Sequence, residues 1–159
     1  ADSVNTEYIR QKLQNAPVEI KTVAGKPYDV MNCSDYLICA SGSATLEAGL
    51  MGCPMLIVYK LNALTFWSIR SFVRVKNFGL INIVAGEEVV PELLQSEVTG
   101  ERIAREALSI LKDPDRLMKV RARLLRVRES LGQPGVAPRI AKSIVEYLDR
   151  WKTHEKVSI

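Results

Sequence analysis

The chain has 159 residues, enough for one domain with a sizeable core, and its 47% hydrophobic and 25% charged residues exclude an intrinsically disordered protein. Its longest uncharged run, residues 48–59, is too short to span a bilayer, for which a helix needs about 20 apolar residues. The net charge of +4 arises in residues 99–159, which carry 14 basic and 8 acidic side chains, whereas residues 1–98 carry 8 and 10.

The first third of the chain predicts the order helix, strand, helix. Residues 6–15 have a helical pattern, residues 18–23 (VEIKTV) alternate as a β-strand does, and residues 28–33 form a short helix. A doubly wound α/β domain normally starts with a strand, so we expect an earlier strand upstream of Ala1. The missing initiator Met agrees with a fragment or a processed product.

The central stretch predicts a parallel crossover unit. An apolar run at residues 36–39 is typical of a buried strand, and the small residues 40–48 (ASGSATLEA) open a helix that ends at Gly52. Residues 55–59 (MLIVY) form the next strand. Because ligands of such sheets lie at the carboxyl ends of the strands, the turn before this helix is the candidate site.

The residue types in that turn suit a phosphate. Gly42, Ser43 and Ala44 let an anion approach the unpaired N–H groups at the start of the helix, and the hydroxyls of Ser41 and Ser43 add donors. The alternative is an ordinary helix whose N-cap is one of these serines.

Glu47 favours a nucleotide as the ligand. A capping box needs Glu or Gln three residues after the cap, and Glu47 has that spacing from neither Ser41 nor Ser43. Its carboxylate lies one turn into the helix, where it could accept two hydrogen bonds from the vicinal diol of a ribose. The alternative is a solvated glutamate on a helix surface.

Two stretches follow the crossover unit. Residues 61–76 mix aromatic and cationic side chains, which suits a helix lying either on a membrane or on the sheet. Residues 79–86 (GLINIVAG) read as a short strand between glycines, with Asn82 as a polar residue inside it. Asn82 could bind a ligand or satisfy backbone groups.

Three helices are predicted in the remaining chain. Thr99 caps the first, Asp113 and Pro114 start the second, and the third follows residues 132–135 (GQPG) and runs to about residue 151. We place one domain at residues 1–152 and a tail at 153–159.

The excess of basic side chains in residues 99–159 could bind nucleic acid, an anionic membrane surface or a phosphorylated substrate, or it could be a solvated helix face. The side chains expected to face inward on the third helix are Ile140, Ile144, Tyr147, Leu148 and Trp151.

Cysteine and histidine spacing argues against a metal site. Cys33, Cys39 and Cys53 have no CxxC spacing, and His154 is the one histidine and lies in the polar tail. We expect Cys39 and Cys53 to be buried free thiols and His154 to be a tail residue rather than a catalytic base.

An ordered set of motifs resembles the C-terminal half of the lipid-A-disaccharide synthases. The resemblance runs from about residue 28 to residue 148, and its first block is shared with other two-domain glycosyltransferases of the B type. The motifs comprise residues 40–48, 52–55 (GCPM), 59–60, 65–67 (TFW), 80–82, 85–86, 90–95 (VPELLQ) and 131–135 (LGQPG).

The resemblance implies an α/β, Rossmann-like, C-terminal nucleotide-binding half of a membrane-associated enzyme. That enzyme transfers the sugar of UDP-2,3-diacylglucosamine, with inversion, to 2,3-diacylglucosamine 1-phosphate, and it needs no metal or other cofactor. Ser41, Gly42, Ser43, Ala44 and Thr45 would meet the diphosphate, and Glu47 the ribose. Asn82 matches the family's Leu-Pro-Asn segment, with Ile81 in place of proline, and it completes the implied donor site.

The resemblance also implies the partners and the location. The catalytic residues and the acceptor site belong to the N-terminal half of the enzyme, so none is expected in this chain. We expect a homodimer that is cytoplasmic and peripheral on the inner membrane, without nucleic acid as a partner. The alternatives are the nucleotide domain of another UDP-sugar transferase or epimerase, and a non-enzymatic nucleotide-binding α/β module.

Overall fold

The computed structural model describes residues 6–61, 77–132 and 134–155. The chain divides into two compact units, Ala1–Arg128 and Glu129–Ile159. In the first unit the elements are α1 (Thr6–Leu13), α2 (Pro27–Cys33), β1 (Leu37–Ala40), α3 (Ser43–Leu50), β2 (Met55–Tyr59), α4 (Leu80–Ala85), β3 (Glu92–Leu94), a 3-10 turn (Gln95–Glu97), α5 (Gly100–Leu111) and α6 (Pro114–Ser130), whose last two residues lie in the second unit. The second unit contains α7 (Val136–Glu155).

A three-stranded parallel sheet in the order β1-β2-β3 forms the centre of the first unit. Leu37 lies opposite Met55, and Ile57 opposite Glu92. Because all strands run in the same direction, their carboxyl ends meet at one edge. The Rossmann-like α/β architecture with helices flanking a parallel sheet is thereby confirmed.

The core forms where α3 and α4 pack beside the central strand. β2 begins with three fully buried residues, as expected of a strand covered on both faces. Gly49 allows α3 to approach α4, since a Cβ on Gly49 would lie 2.5 Å from Cδ1 of Ile81. The buried apolar residues that form this core are Met31, Ala48, Met55, Ile57, Ile81, Val89, Val90, Leu124 and Val127.

The strand expected at residues 18–23 is wrong, because these residues belong to no helix or strand. Their apolar members remain exposed: Val18 by 66%, Ile20 by 46% and Val23 by 58%. A strand requires a hydrogen-bonded neighbour, and the described part of the chain supplies none beside this segment.

The strand expected at residues 79–86 is also wrong, because residues 80–85 form the helix α4. Gly79 is its N-cap, and Gly86, at φ 70°, ends it in the left-handed conformation that glycine adopts without penalty. A short apolar run does not distinguish a strand from a buried helix. The third strand of the sheet is β3, three residues long, which the sequence patterns did not predict.

The local signals for the later helices are confirmed. Oγ1 of Thr99 accepts a hydrogen bond from the backbone N–H of Arg102 at 3.2 Å, and Oδ1 of Asp113 accepts one from Arg116 at 3.0 Å. Both are N-cap interactions of the expected kind. The break after α6 contains Gly132 at φ 89°.

The inward orientation expected for the stripe of α7 is wrong. The stripe consists of Ile140, Ile144, Tyr147, Leu148 and Trp151, and these side chains are 45–70% exposed. A single helix cannot bury its own apolar stripe, and the second unit by itself contains no other described element apart from the last two residues of α6. α7 continues to Glu155, four residues past the expected helix end at residue 151.

Two further expectations concern the membrane. No helix among residues 6–61, 77–132 and 134–155 is long and apolar enough to cross a bilayer. The helix expected at residues 61–76 lies, apart from residue 61, outside the described residues.

Candidate functional site

The turn between β1 and α3 lies at the carboxyl edge of the sheet and is tied to the neighbouring strand. The backbone N–H of Ser41 donates to the carbonyl of Val58 at 3.0 Å, which extends the ladder one residue past β1. Gly42 is the N-cap of α3, is exposed, and would meet no atom within 4 Å if it carried a Cβ. The backbone there is open to a ligand.

Neither Ser41 nor Ser43 caps α3, so the structure does not contain the ordinary serine N-cap that was the alternative. No side chain forms a capping hydrogen bond at Gly42. Ser43 is the first helical residue and is exposed. The N–H groups of Ser43 and Ala44 have no carbonyl four residues earlier within the helix, as in the first turn of any helix.

Ser41 and Thr45 direct their hydroxyls into the protein. Oγ of Ser41 donates to the carbonyl of Phe78 at 2.9 Å, and Oγ1 of Thr45 donates to the carbonyl of Gly42 at 2.8 Å. Thr45 is fully buried, and its backbone N–H also points to the Gly42 carbonyl, at 3.2 Å. Thr45 therefore fixes the shape of the turn. Gly42 and Ser43 present the open surface, whereas Ala44 is half-buried and packs against the core.

Glu47 is half-buried one turn into α3, and α3 packs against α2. The pKa of Tyr28 on α2 is raised above its ordinary value, chiefly by hydrogen bonding to Glu47, with the negative charge of Glu47 and slight burial adding to the shift. Tyr28 carried no recognisable signal in the sequence.

Asn82 uses all of its side-chain hydrogen-bonding capacity inside the protein. Its Nδ2 donates to the carbonyl of Val90 at 2.8 Å and to Oε1 of Glu92 at 2.7 Å. Its Oδ1 accepts from the N–H groups of Val89 at 2.9 Å and Val90 at 3.1 Å. With two donors and two acceptor positions filled and no exposed surface, Asn82 satisfies backbone groups, the second of the two possibilities open at the sequence level.

Glu92 links Asn82 to the turn at Ser41. Its carboxylate accepts from the N–H groups of Phe78 at 2.7 Å and Gly79 at 3.0 Å, at the N-terminus of α4. The Phe78 carbonyl in turn accepts from Ser41. The network therefore connects the end of β1, the start of α4 and the start of β3. Glu92 and Phe78 have no local signal in the sequence that marks them as site residues, because their partners lie 10–37 positions away.

The ends of β2 and β3 are joined at the same edge. Oε1 of Gln95 accepts from the N–H of Leu61 at 2.8 Å. Gln95 is the one non-glycine residue among those described with a positive φ, 51°, an uncommon conformation that the surrounding contacts must hold. The ring centroids of Tyr59 and Phe78 lie 5.8 Å apart. Tyr59 is the last residue of β2, and the carbonyl of Phe78 accepts the hydrogen bond from Ser41.

The three cysteines are free thiols, and the described residues contain no cluster of metal-ligating side chains. Cys53 is buried, Cys39 is half-buried, Cys33 is exposed, and all three are free. Burial raises the pKa of the Cys39 and Cys53 thiols. Across residues 6–61, 77–132 and 134–155, no three His, Cys, Asp or Glu side chains come together as a metal site would require.

Comparison with known proteins shows the family. The family model described as "Lipid-A-disaccharide synthetase" matches residues 2–144. A lipid-A-disaccharide synthase of Geobacter metallireducens is 43% identical over 150 residues, which is 94% of this chain and 39% of that protein. The synthase of Syntrophus aciditrophicus is 38% identical over 142 residues, 89% of this chain and 37% of that protein.

A third relative gives the same result. The lipid-A-disaccharide synthase of Geobacter sulfurreducens is 40% identical over 150 residues, again 94% of this chain and 39% of that protein. The chain thus spans 37–39% of the length of these three relatives. On the family match and these identities, the chain belongs to the lipid-A-disaccharide synthase family.

Proposed function

We propose that this chain forms the donor-nucleotide part of a lipid-A-disaccharide synthase. The complete enzyme would transfer 2,3-diacylglucosamine from UDP-2,3-diacylglucosamine to 2,3-diacylglucosamine 1-phosphate, yielding the lipid A disaccharide phosphate and UDP. The observation that carries the proposal is the open turn at Gly42 and Ser43, with the carboxylate of Glu47 one helical turn away. Family membership supports the reaction and the lipid substrates.

The diphosphate is assigned to the start of α3. The unpaired N–H groups of Ser43 and Ala44 and the positive end of the helix dipole favour an anion there. Gly42 leaves that position unobstructed. The hydroxyl of Ser43 is exposed and adds a neutral donor.

The ribose is assigned to Glu47. A carboxylate one turn beyond the diphosphate would repel a phosphate but accept hydrogen bonds from two adjacent hydroxyls. Ser41, Thr45 and Asn82 support the site from within rather than by contact, since their side-chain donors are already directed at backbone carbonyls or at Glu92.

The remaining parts of the reaction lie outside the chain in this proposal. The general base and the acceptor site are assigned to the N-terminal half of the enzyme, and no metal or cofactor is invoked. The enzyme would act in the cytoplasm, peripheral on the inner membrane, as a homodimer. The exposed stripe of α7 and the exposed basic side chains of α6 supply surfaces suited to a second protomer and to anionic lipid.

Titration of UDP into the complete natural polypeptide tests the assignment. Removing a charged acceptor from a site costs about 1.5–3 kcal/mol, so Glu47→Gln should weaken UDP binding roughly ten- to a hundredfold. Ser43→Ala removes a neutral hydroxyl and should cost less, about 0.5–1.5 kcal/mol. The affinity for 2′,3′-dideoxyuridine diphosphate, which lacks the diol, should be nearly the same in wild type and Glu47→Gln.

Two results would contradict the assignment. If Glu47→Gln still prefers the natural ribose as strongly as wild type does, Glu47 is not the ribose contact. If wild type binds no UDP, the nucleotide site itself is refuted, and a non-enzymatic module becomes the better interpretation. UDP binding without any dependence on lipid substrates would favour another UDP-sugar enzyme.

A further inference from the structure

One residue follows each strand directly at the carboxyl edge of the sheet: Ser41 after β1, Lys60 after β2 and Gln95 after β3. The first and the third are neutral, whereas Lys60 carries a positive charge. Lys60 is exposed, and no carboxylate in the described part of the chain forms an ion pair with it. Its ammonium group is therefore available to a ligand at this edge.

The register of β1 and β2 brings Lys60 beside the open turn. Ala40 lies opposite Val58, and the N–H of Ser41 donates to the Val58 carbonyl at 3.0 Å, so the pairing continues past the end of β1. Gly42 is extended as well, with φ 161° and ψ −170°. Two steps beyond the pair of Ala40 and Val58, Gly42 thus comes beside Lys60, at the spacing of neighbouring strands, about 4.8 Å.

The backbone is held on both sides of Lys60. The ring of Tyr59, the preceding residue, lies against that of Phe78, with 5.8 Å between the centroids. The N–H of Leu61, the following residue, donates to Oε1 of Gln95 at 2.8 Å, and Gln95 adopts the uncommon φ of 51°. The backbone of Lys60 is thereby placed, while its exposed ammonium group lies on a flexible four-carbon stem.

The turn by itself leaves the charge of a diphosphate uncompensated. The N–H groups of Ser43 and Ala44 and the hydroxyl of Ser43 are neutral donors, and Glu47 adds a negative charge one helical turn away. Moving an anion from water into a site costs free energy unless an opposite charge accompanies it. Lysine commonly fulfils this role for phosphates, acting as a point charge. A cation beside Gly42 would therefore complete the site electrostatically.

We propose that Lys60 is a binding residue of the nucleotide site, whose ammonium group forms an ion pair with the diphosphate at Gly42 and Ser43. The inference rests on the proposed function and adds to it the cation that the turn lacks. It predicts that removing the charge weakens recognition of the diphosphate and leaves recognition of the nucleoside unchanged.

The experiment compares Lys60→Met with wild type in the complete natural polypeptide, using calorimetry for UDP and ligand-observed NMR titration for the weaker ligand uridine. Methionine keeps most of the side-chain length and removes the charge. Lys60→Met should weaken UDP binding roughly ten- to a hundredfold, the usual effect of losing a charged hydrogen bond, with uridine affinity unchanged. Lys119→Met, at an exposed lysine on α6, is the matched control and should change neither affinity.

The salt dependence of UDP affinity separates an ion pair from a change in the shape of the site. Because salt screens charges, added NaCl should weaken UDP binding to wild type more steeply than UDP binding to Lys60→Met. Equal losses of UDP and uridine affinity, or equal salt dependence of the two proteins, would overturn the inference. The melting temperature of Lys60→Met should equal that of wild type, as expected for an exposed side chain.

The outcomes also distinguish the inference from the function on which it rests. If Lys60→Met binds UDP as tightly as wild type while Glu47→Gln loses the ribose preference, the inference is wrong and the nucleotide site stands. If wild type binds uridine as tightly as UDP, the turn holds no diphosphate, and the inference and the proposed function are both wrong.

Discussion

Single buried side chains hold the candidate site together, and Asn82 is the clearest case. It makes four hydrogen bonds within the protein, three of them to backbone groups of Val89 and Val90. Through Glu92 it also fixes the N-terminus of α4, where the carbonyl of Phe78 receives the Ser41 hydroxyl. Changes at Asn82 should therefore reach the turn without any contact between Asn82 and the ligand.

The free energy of unfolding of Asn82→Ala measures how much the four hydrogen bonds of Asn82 stabilise the fold. The substitution leaves buried N–H and C=O groups without partners, each costing about 1–3 kcal/mol, so we expect a total loss of about 2–4 kcal/mol after relaxation. Denaturant unfolding of Asn82→Ala and of Asn32→Ala, an exposed asparagine on α2, gives the comparison. Equal stability of the two variants would show that the buried network is not a major source of stability.

At the scale of elements, close packing of α3 on α4 depends on Gly49. Ala is the better helix former by about 1 kcal/mol, but a Cβ here would lie 2.5 Å from Cδ1 and 2.6 Å from Cγ1 of Ile81. Overpacking a core costs about 1–3 kcal/mol, so Gly49→Ala should be destabilising on balance.

Gly100→Ala is the matched control for that prediction. Gly100 is the first residue of α5, and a Cβ added to it would meet no atom within 4 Å. Its substitution should leave the melting temperature unchanged or slightly raised. A Gly49→Ala variant as stable as Gly100→Ala would show that α3 and α4 can separate without penalty.

The apolar stripe of α7 predicts self-association. Ile140, Ile144 and Tyr147 are each more than half exposed, and a second copy of the same helix offers a complementary apolar surface. We expect light scattering on the purified chain to detect oligomers at high concentration. Ile140→Glu with Ile144→Glu should shift the protein toward monomer, whereas Lys142→Glu on the same helix should not. A monomeric wild type at high concentration would contradict the prediction.

At the scale of the whole molecule, the proposal separates donor binding from catalysis. The chain covers 37–39% of the three relatives compared above, and the assigned site contains donors and a ribose acceptor but no assigned general base. Inversion at a sugar carbon requires such a base within hydrogen-bond reach of the attacking hydroxyl.

The purified 159-residue chain should accordingly have no transferase activity. The assay supplies both lipid substrates and measures release of UDP and formation of the disaccharide, with the complete natural polypeptide as the positive control. Turnover by the 159-residue chain would show that the base lies within it and would refute the division of roles.

Local sequence signals determined a large part of this protein. The unit β1-α3-β2, the caps at Thr99 and Asp113 and the break before α7 all depend on neighbouring residues, and each was predicted correctly. The open turn at Gly42 belongs to the same class, because its small residues are contiguous. The sequence signal for each of these features lies within one contiguous stretch, although β1 and β2 also pair with each other in the sheet.

Tertiary structure alone decided the features whose partners are remote. Residues 18–23 alternate like a strand but have no described neighbour to pair with. Residues 80–85 form a helix beside which Glu92 accepts from the Gly79 N–H and Asn82 bonds to the carbonyl of Val90. The role of Asn82 likewise depends on which elements pack together. Hydrogen-bond satisfaction and burial are properties of the assembled fold, so a local pattern could propose these residues but could not assign their contacts.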